Sequence, residues 1–255
     1  MILHIPHAST TIHADIRATL LLTDTQLAQE LLWMTDHYTD QLFDPPLPTQ
    51  RIIAPTSRLV CDVERFPDDE DEPMAATGMG AIYTRTSDAK VLRHLTPAAR
   101  QQLMRNYYEP HHAQLGAAVD AELLEDGRCL IIDCHSFPAK PLPYERDQQA
   151  NRPQICLGTD AFHTPAWLLE LARRAFEKSG FSVAIDTPFA GTLVPLKHYR
   201  RTPAVLSLMI ECNRALYMDE ETGEKNEIGF IRLKKAIDGF LTTMHRLAGT
   251  RGAPE

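Results

Sequence analysis

The segment Cys129-Leu-Ile-Ile-Asp-Cys-His-Ser-Phe-Pro138 is the clearest indication of the fold. It begins with a nearly continuous apolar run and ends in small and polar residues and a proline. Buried strands of parallel sheets have such runs, because both of their faces are covered. We therefore predict a central strand over 129–134 with His135 at its carboxyl end, where α/β sheets bind ligands.

A second strand of this kind opens the chain. Met1-Ile-Leu-His-Ile-Pro-His-Ala-Ser9 is again a short apolar run that leads to a histidine, His7. Because the carboxyl ends of parallel strands meet at one edge of a sheet, we expect His7 and His135 to share a site. Neutral imidazoles brought together in this way are natural zinc ligands.

The rest of the chain alternates between helical and strand patterns, with a Pro-rich loop over 137–152. Helices are predicted over 24–43, over 97–124, from 165 onward and over 227–247, and further strands over 51–54, 57–63, 154–157, 181–185 and 204–212. This order predicts an α/β, three-layer sandwich: a mixed, mostly parallel sheet flanked by helices. The length favours a single domain spanning 1–255.

The composition excludes several classes of partner. The net charge is −8, and no block of Lys and Arg is present that would follow a nucleic-acid backbone. No apolar stretch approaches the roughly 18 residues of a membrane helix. The five cysteines are odd in number and lack a CxxC spacing, which is typical of a reducing, cytoplasmic environment.

A catalytic zinc has three protein ligands, so a third residue is required beside the two histidines. Asp36 and Asp40 are the candidates, because they lie four residues apart and share one face of the predicted helix over 24–43. Either carboxylate could equally be an ordinary solvent-facing residue. The pattern alone leaves this choice open.

Glu211 ends the apolar run of the predicted strand over 204–212, where an unpaired carboxylate is costly to bury. It therefore needs a partner, such as Arg214, or a chemical role. Beside a zinc-bound water, a glutamate can take the proton of the water and pass it to a leaving amine. Both interpretations stand at this point.

Basic residues near the other segments are candidates for binding an anion. Arg58 and Arg65 flank the predicted strand over 57–63, and Lys197-His198-Tyr199 follows a glycine-containing turn. Guanidinium groups bind carboxylates and stabilise oxyanions. The chain has no Gly-rich phosphate loop, GxSxG or GxGxxG, so nucleotide-dependent and serine-hydrolase functions lack their usual signatures.

The order of these segments resembles the N-formylglutamate amidohydrolase (N-formylglutamate deformylase) family, which is similar in fold to the zinc carboxypeptidases and their phosphorylase/hydrolase-like sandwich. Each segment is short, but their common order spans most of the chain. The matching segments are Ile5-Pro-His-Ala-Ser9, Thr35-Asp-His-Tyr-Thr-Asp-Gln-Leu42, Ser57-Arg-Leu-Val-Cys-Asp-Val-Glu-Arg65, Tyr108-Glu-Pro-His-His112, Asp133-Cys-His-Ser136, Lys197-His-Tyr199, Glu211 and Leu216-Tyr-Met-Asp-Glu220.

The resemblance implies a role for each candidate residue. It assigns the metal to His7, Asp36 and His135, and thereby favours Asp36 over Asp40. It makes Glu211 the general base. It places Arg58, Arg65 and His198 in the pocket, where they would contact the substrate carboxylate or the oxyanion, and it does not say which residue does which. We expect Arg58 to stabilise the oxyanion, and Arg65, His198 and Tyr199 to bind the substrate. Zinc is the implied cofactor, and cobalt, nickel or manganese also suit such a donor set.

The implied reaction is hydrolysis of the amide of an N-acyl amino acid, a small molecule, with N-formyl-L-glutamate giving formate and L-glutamate as the leading case. One departure weakens the expected specificity, since the family reads Asp-x-Asn-Arg where this chain has Asp62-Val-Glu-Arg65. Two alternatives are a carboxypeptidase-like or γ-glutamyl peptide hydrolase with the same metal, and a non-catalytic metal-binding or regulatory protein.

Overall fold

A six-stranded sheet organises the structure, a computed structural model that describes residues 1–249; residues 250–255 of the predicted domain lie outside it. The strand order is β2-β1-β3-β6-β4-β5, and β4 and β6 are the antiparallel neighbours in an otherwise parallel sheet. The prediction of a mixed, mostly parallel sheet is therefore confirmed. The strands are β1 (Ile2–Ile5), β2 (Gln50–Ile53), β3 (Cys129–Phe137), β4 (Ile155–Gly158), β5 (Val183–Ile185) and β6 (Val205–Asn213).

Helices cover both faces of this sheet. The α-helices are α1 (Ala14–Arg17), α2 (Asp24–Met34), α3 (Thr39–Leu42), α4 (Pro97–Leu103), α5 (Glu109–Asp126), α6 (Ala166–Lys178) and α7 (Glu227–Gly249). Helix α5 packs on one face, and α3, α6 and α7 pack on the other. This confirms the predicted three layers. None of the described helices is both long and apolar enough to cross a membrane.

The alternation of side chains along β3 explains how two cores form. Ile131 packs with Leu115 and Val119 of α5, whereas Ile132 belongs to the larger core that contains Phe176 and Phe240 of α6 and α7. Successive strand residues point to opposite faces, so both faces of β3 need apolar residues. This is why the run from Cys129 is continuously apolar.

The same alternation sets the positions of the polar residues. Asp133 and His135 follow Ile131 at steps of two and therefore lie on the face that α5 covers. In the sheet register His135 lies opposite Glu211 of β6, and Asp133 lies opposite His4 of β1. The carboxyl ends of three neighbouring strands thus present their polar side chains on one side of the sheet.

The single helix predicted over 24–43 is wrong, because the structure ends α2 at Met34. Thr35 is extended, and the Asp36 amide donates to the carbonyl of His7 at 3.0 Å instead of continuing the helix. Tyr38 then has a φ of 65°, which starts the short α3 in a new direction. Asp36 therefore lies in a connecting turn beside the end of β1.

The strand predicted over 57–63 is also wrong. The segment folds into turns, with the amide of Val60 bonded to the carbonyl of Ser57 at 2.8 Å, and the amide of Asp62 bonded to the carbonyl of Ala81 at 2.8 Å. Its apolar side chains are buried in a separate small core. Short apolar runs indicate burial, but by themselves they do not distinguish a strand from another buried conformation.

The helix predicted over 97–124 forms as α4 and α5, joined by a π-helical turn at Met104–Tyr108. Pro110 directly follows this π-helical turn, and an interruption of the helical hydrogen-bond ladder is typical next to a proline, which has no amide donor. Gly127 ends α5 with a φ of 70°, as its position in the sequence predicts. This places the start of α5 near the carboxyl end of β3.

Because α7 packs on the sheet through buried side chains such as Phe240, truncation of Phe240 should lower the stability of the protein considerably. Phe240 is 1% exposed and contacts the ring of Phe176, with ring centroids 6.0 Å apart. We expect Phe240→Ala to lower the free energy of unfolding by about 3–5 kcal/mol, measured by denaturant titration. Ile231→Ala, 65% exposed on the same helix, is the control and should change it by less than about 0.5 kcal/mol. Equal effects would contradict the docking of α7.

Candidate metal centre

His7, Asp36 and His135 lie together at the carboxyl ends of β1 and β3. One carboxylate oxygen, Asp36 Oδ2, is 3.6 Å from His7 Nδ1 and 3.3 Å from His135 Nδ1. One ligand atom from each of the three residues lies within 4.8 Å of the others, and all three side chains are buried. Metal–ligand bonds of about 2.0–2.2 Å suit atoms at this spacing, so the arrangement fits a single ion.

Asp36 reaches this position because several groups hold its turn. Its backbone amide is bonded to His7, as described above, and its carboxylate accepts from the Ser136 amide at 3.1 Å and from Arg214 Nη2 at 2.9 Å. Asp40, the alternative ligand, is not part of this group of residues in the described chain. The connecting turn, and not a helix face, brings Asp36 to the two histidines.

Two further carboxylates orient the imidazoles. His7 Nε2 lies 2.8 Å from Asp62 Oδ1, and His135 Nε2 lies 3.1 Å from Asp133 Oδ1. An ionised carboxylate only accepts hydrogen bonds, so both rings carry a proton on Nε2. Both Nδ1 atoms then face Asp36, and His7 Nδ1 is buried with no hydrogen-bond partner within residues 1–249. Carboxylate–imidazole pairs of this kind support metal-binding histidines, so these residues fit a metal ion.

The electrostatics favour a positive charge between these three residues. Burial alone would lower the pKa of His135, but Asp133, Asp36 and Glu64 raise it well above its usual value. Burial would raise the pKa of Asp36, but the neighbouring His135 and His7 and the charge of Arg214 lower it well below its usual value. A cation at this point would meet the same negative surroundings.

Carboxylates outnumber guanidinium groups in this region. Asp36 and Asp62 pair with arginines, whereas Glu64 and Asp133 face only histidines among the described ion pairs. The carboxylates are Asp36, Asp62, Glu64, Glu72, Asp133 and Glu211, and the guanidinium groups are Arg58, Arg65 and Arg214. A divalent cation would offset this excess of negative charge.

Glu211 projects beside the three residues from the neighbouring strand. Its side chain is buried, and Oε2 has no hydrogen-bond partner in the part of the chain that the structure describes. Burial raises the pKa of Glu211 to about 8, against the charges of His135 and Arg214. The salt bridge to Arg214 that the sequence left open does not form, because Arg214 pairs with Asp36 and donates to Ser136.

A cavity of about 560 Å³ lies in front of this cluster. Its walls include the three candidate ligands and Glu211, together with Arg58, Arg65 and Tyr199. The hydroxyl of Tyr199 donates to Asp160 at 3.4 Å. Most of the predicted site residues therefore face one space of a size typical of small-molecule sites.

His198 is the predicted site residue that the structure places elsewhere. It is not among the residues that line the cavity, and its ring bonds Asp120 Oδ1 at 2.9 Å and the Thr202 hydroxyl at 3.0 Å. Tyr199 lines the cavity, whereas the ring of the preceding His198 is directed toward Asp120 of α5 and Thr202. The structure thus gives no support to the predicted contact of His198 with substrate.

Glu64, the departure from the family pattern, faces histidines and not Arg65. Its Oε2 lies 3.5 Å from His4 Nδ1, and its Oε1 lies 3.7 Å from His135 Nε2. His4 also contacts Asp133 at 2.8 Å and His111 at 2.8 Å. The Glu64 carboxylate therefore lies between His4 and His135, and the residue also lines the cavity.

Asp62 is the important residue that the sequence reasoning missed. Its two oxygens contact His7 and Arg58, the latter at 2.7 Å through Nη2. Arg65 lies 3.5 Å from the same carboxylate. A charged residue inside the apolar run over 59–63 was the available signal, and it is the same signal that identified Glu211.

Comparison with known proteins shows the fold and the family of the chain. The structure is similar to the crystal structure of N-formylglutamate amidohydrolase from Ralstonia eutropha JMP134, with a TM-score of 0.84, 24% identity and coverage of 97% of this chain and 93% of that one. It is also similar to gene product Atu2144 from Agrobacterium tumefaciens, with a TM-score of 0.63, 19% identity and coverage of 96% and 91%. No curated protein matches the chain. The family model for N-formylglutamate amidohydrolase matches residues 1–218, and the chain therefore belongs to that family.

Proposed function

We propose that the protein is a metal-dependent hydrolase that cleaves the amide of an N-acyl amino acid, with N-formyl-L-glutamate as its leading substrate. The observation that carries this proposal is the unpaired, buried Glu211 beside His7, Asp36 and His135 in one cavity. Membership of an amidohydrolase family supports the same reaction class. The products would be formate and L-glutamate.

His7, Asp36 and His135 would hold the metal. Two imidazole nitrogens and one carboxylate oxygen form a donor set typical of catalytic zinc, and cobalt, nickel or manganese also suit it. When bound, such a cation lowers the pKa of water to about 7 and polarises the scissile carbonyl. Asp62 and Asp133 keep the two imidazoles in the tautomer that leaves Nδ1 available.

Glu211 is the proposed general base. It would remove a proton from the attacking water and deliver that proton to the leaving nitrogen of the amide. Burial raises the pKa of Glu211, but a nearby positive charge favours the carboxylate and would lower that pKa again. The group can therefore accept a proton at neutral pH.

The arginines are proposed to bind the negative charges of the substrate. Burial would lower the pKa of Arg58, but Asp62 raises it well above its usual value, so Arg58 stays charged and can stabilise the tetrahedral oxyanion. Arg65 also lines the cavity, and its guanidinium would bind a substrate carboxylate there. Tyr199 adds a further contact from the cavity wall.

A substrate panel with metal-loaded protein tests this function. We expect release of formate from N-formyl-L-glutamate, abolished by a chelator and restored by zinc, and slower cleavage of N-acetyl-L-glutamate by roughly 10-fold or more, since one methyl group in a fitted pocket has an effect of this size. Faster cleavage of a γ-glutamyl dipeptide would favour the peptide-hydrolase alternative. Bound metal with no hydrolysis of any substrate would favour the non-catalytic alternative.

A further inference from the structure

We propose that Tyr144 is a further substrate-binding residue, whose phenol hydroxyl donates a hydrogen bond to a carboxylate of the substrate. A buried ion pair between Arg152 and Glu145 would hold it in place. The identity of the substrate in this inference rests on the proposed function. The evidence lies in the long segment between β3 and β4, which contains no helix or strand.

Tyr144 lines the cavity. Together with Leu142, it packs against a small core that includes Leu59 and Tyr83, so the ring is anchored on apolar residues. This core lies beside Arg58, whose guanidinium carbon is 5.9 Å from the centroid of the Tyr83 ring. The anchored ring therefore lies at the arginine side of the cavity.

The arginine charges act on the phenol hydroxyl. Burial raises the pKa of Tyr144, and the charge of Arg58 opposes this rise; the charge of Glu145 adds to the rise, and the charges of Arg65 and Arg214 oppose it. The raised pKa keeps the hydroxyl protonated at neutral pH, so it remains a donor. Tyr144 thus adds a neutral donor to a group of cationic donors.

The side chain of Arg152 connects distant parts of the segment that carries Tyr144. The Arg152 side chain is 2% exposed and pairs with Glu145. Its Nη1 donates to the carbonyl of Pro138 at 3.0 Å, and its Nη2 donates to the carbonyl of Asp147 at 3.1 Å. Arg152 therefore joins the beginning, the middle and the end of the segment.

Further hydrogen bonds close the turn around Tyr144. Glu145 Oε1 accepts from the Leu142 amide at 2.9 Å, and Gln148 Nε2 donates to the carbonyls of Leu142 at 3.0 Å and Glu145 at 2.7 Å. The guanidinium of Arg152 also lies 5.7 Å from the ring centroids of Phe137 and Phe189. A donor fixed in this way contributes more to binding, because little conformational entropy is lost.

The donors that line the cavity select the chemistry of their ligand. A phenol hydroxyl and the guanidinium groups of Arg58 and Arg65 all donate hydrogen bonds, so the ligand must accept several at once. A carboxylate does so with two oxygens, and hydrogen bonds to an ionised group are stronger than those to a neutral group. The substrate carboxylate is therefore the group that Tyr144 would contact.

Tyr144→Phe tests the inference in metal-loaded protein. We expect the KM for N-formyl-L-glutamate to rise roughly 10- to 100-fold, the effect of losing one hydrogen bond to a charged group, with kcat nearly unchanged. Tyr107→Phe is the matched control and should leave KM unchanged, because Tyr107 stacks on His13 and does not line the cavity. Replacing the contacted carboxylate of the substrate by a carboxamide should remove most of the effect of Tyr144→Phe.

The positioning role of Arg152 needs separate variants. We expect Arg152→Leu to raise KM as Tyr144→Phe does, and the double variant to be little worse than either, because both act on the same contact. Arg152→Lys, which keeps the charge, should lie between Arg152→Leu and the wild type. If the rise in KM of the double variant is the product of the two single rises, the positioning role is overturned. Should Arg152→Leu not fold, the double variant of Tyr144→Phe with Arg152→Lys gives the same test.

Calorimetric binding of L-glutamate separates this inference from the proposed function. Tyr144→Phe should weaken binding roughly 10- to 100-fold whether or not the wild type turns over. Weaker binding without hydrolysis by the wild type would support Tyr144 and count against the hydrolase. Hydrolysis by the wild type with unchanged KM and binding in Tyr144→Phe would overturn Tyr144 alone. A fall in kcat at constant KM would also overturn the assignment, since it would mean an oxyanion contact.

Discussion

Glu211→Gln is expected to lower kcat roughly 10²- to 10⁴-fold with the metal content unchanged, because general-base catalysis contributes about this factor. Glutamine keeps the size and the hydrogen-bonding shape of the side chain but cannot accept the proton. Steady-state kinetics of formate release and elemental analysis of the metal measure the two quantities.

A control variant and a conservative variant accompany Glu211→Gln. Glu125→Gln changes an exposed glutamate near the end of α5 and should have no effect on kcat. Glu211→Asp keeps a carboxylate but shortens the side chain, so we expect an intermediate rate. Turnover by Glu211→Gln at close to the wild-type rate would refute the assignment of the base.

His135→Ala is expected to remove both the metal and the activity. The imidazole is one of the three proposed ligands, and its loss removes one of the partners that balance the buried charges of Asp36 and Asp133. We expect bound zinc to fall from one ion per chain to a small fraction, and kcat/KM to fall at least about 10³-fold, since a catalytic metal contributes several kcal/mol. Elemental analysis after desalting and the formate assay measure these effects.

His198→Ala is the matched control for this prediction. His198 bonds Asp120 outside the cavity wall, so its loss should leave the zinc content unchanged. Equal loss of zinc in the two variants would indicate a general disturbance of the fold. Full zinc content and activity in His135→Ala would contradict the proposed ligand set.

The strand ends were the part of the site that the sequence could predict. Continuous apolar runs identify β3 and β6, and a polar residue at the end of such a run has few explanations other than a site. His7, His135 and Glu211 were found in this way, and the structure brings them together because strand ends of one direction meet at one sheet edge. Local pattern was sufficient here because sheet geometry supplied the long-range contact.

The turns were the part that the sequence could not predict. Asp36 leaves its helix because its amide bonds His7, and the segment from Ser57 folds into turns because its amides bond partners such as Ala81. These hydrogen bonds join residues far apart in the chain, and no periodicity indicates them. No sequence pattern indicates the position of Tyr144, because only the packing of a long irregular segment places it at the cavity.

Anomalous diffraction from zinc-loaded crystals, recorded on both sides of the zinc absorption edge, tests the central claim most directly. We predict one strong peak per chain, about 2.0–2.2 Å from His7 Nδ1, Asp36 Oδ2 and His135 Nδ1, with Glu211 beside its remaining coordination position. A peak between His4, Glu64 and Asp133 instead, or no peak at His7, Asp36 and His135 in fully loaded protein, would contradict the account.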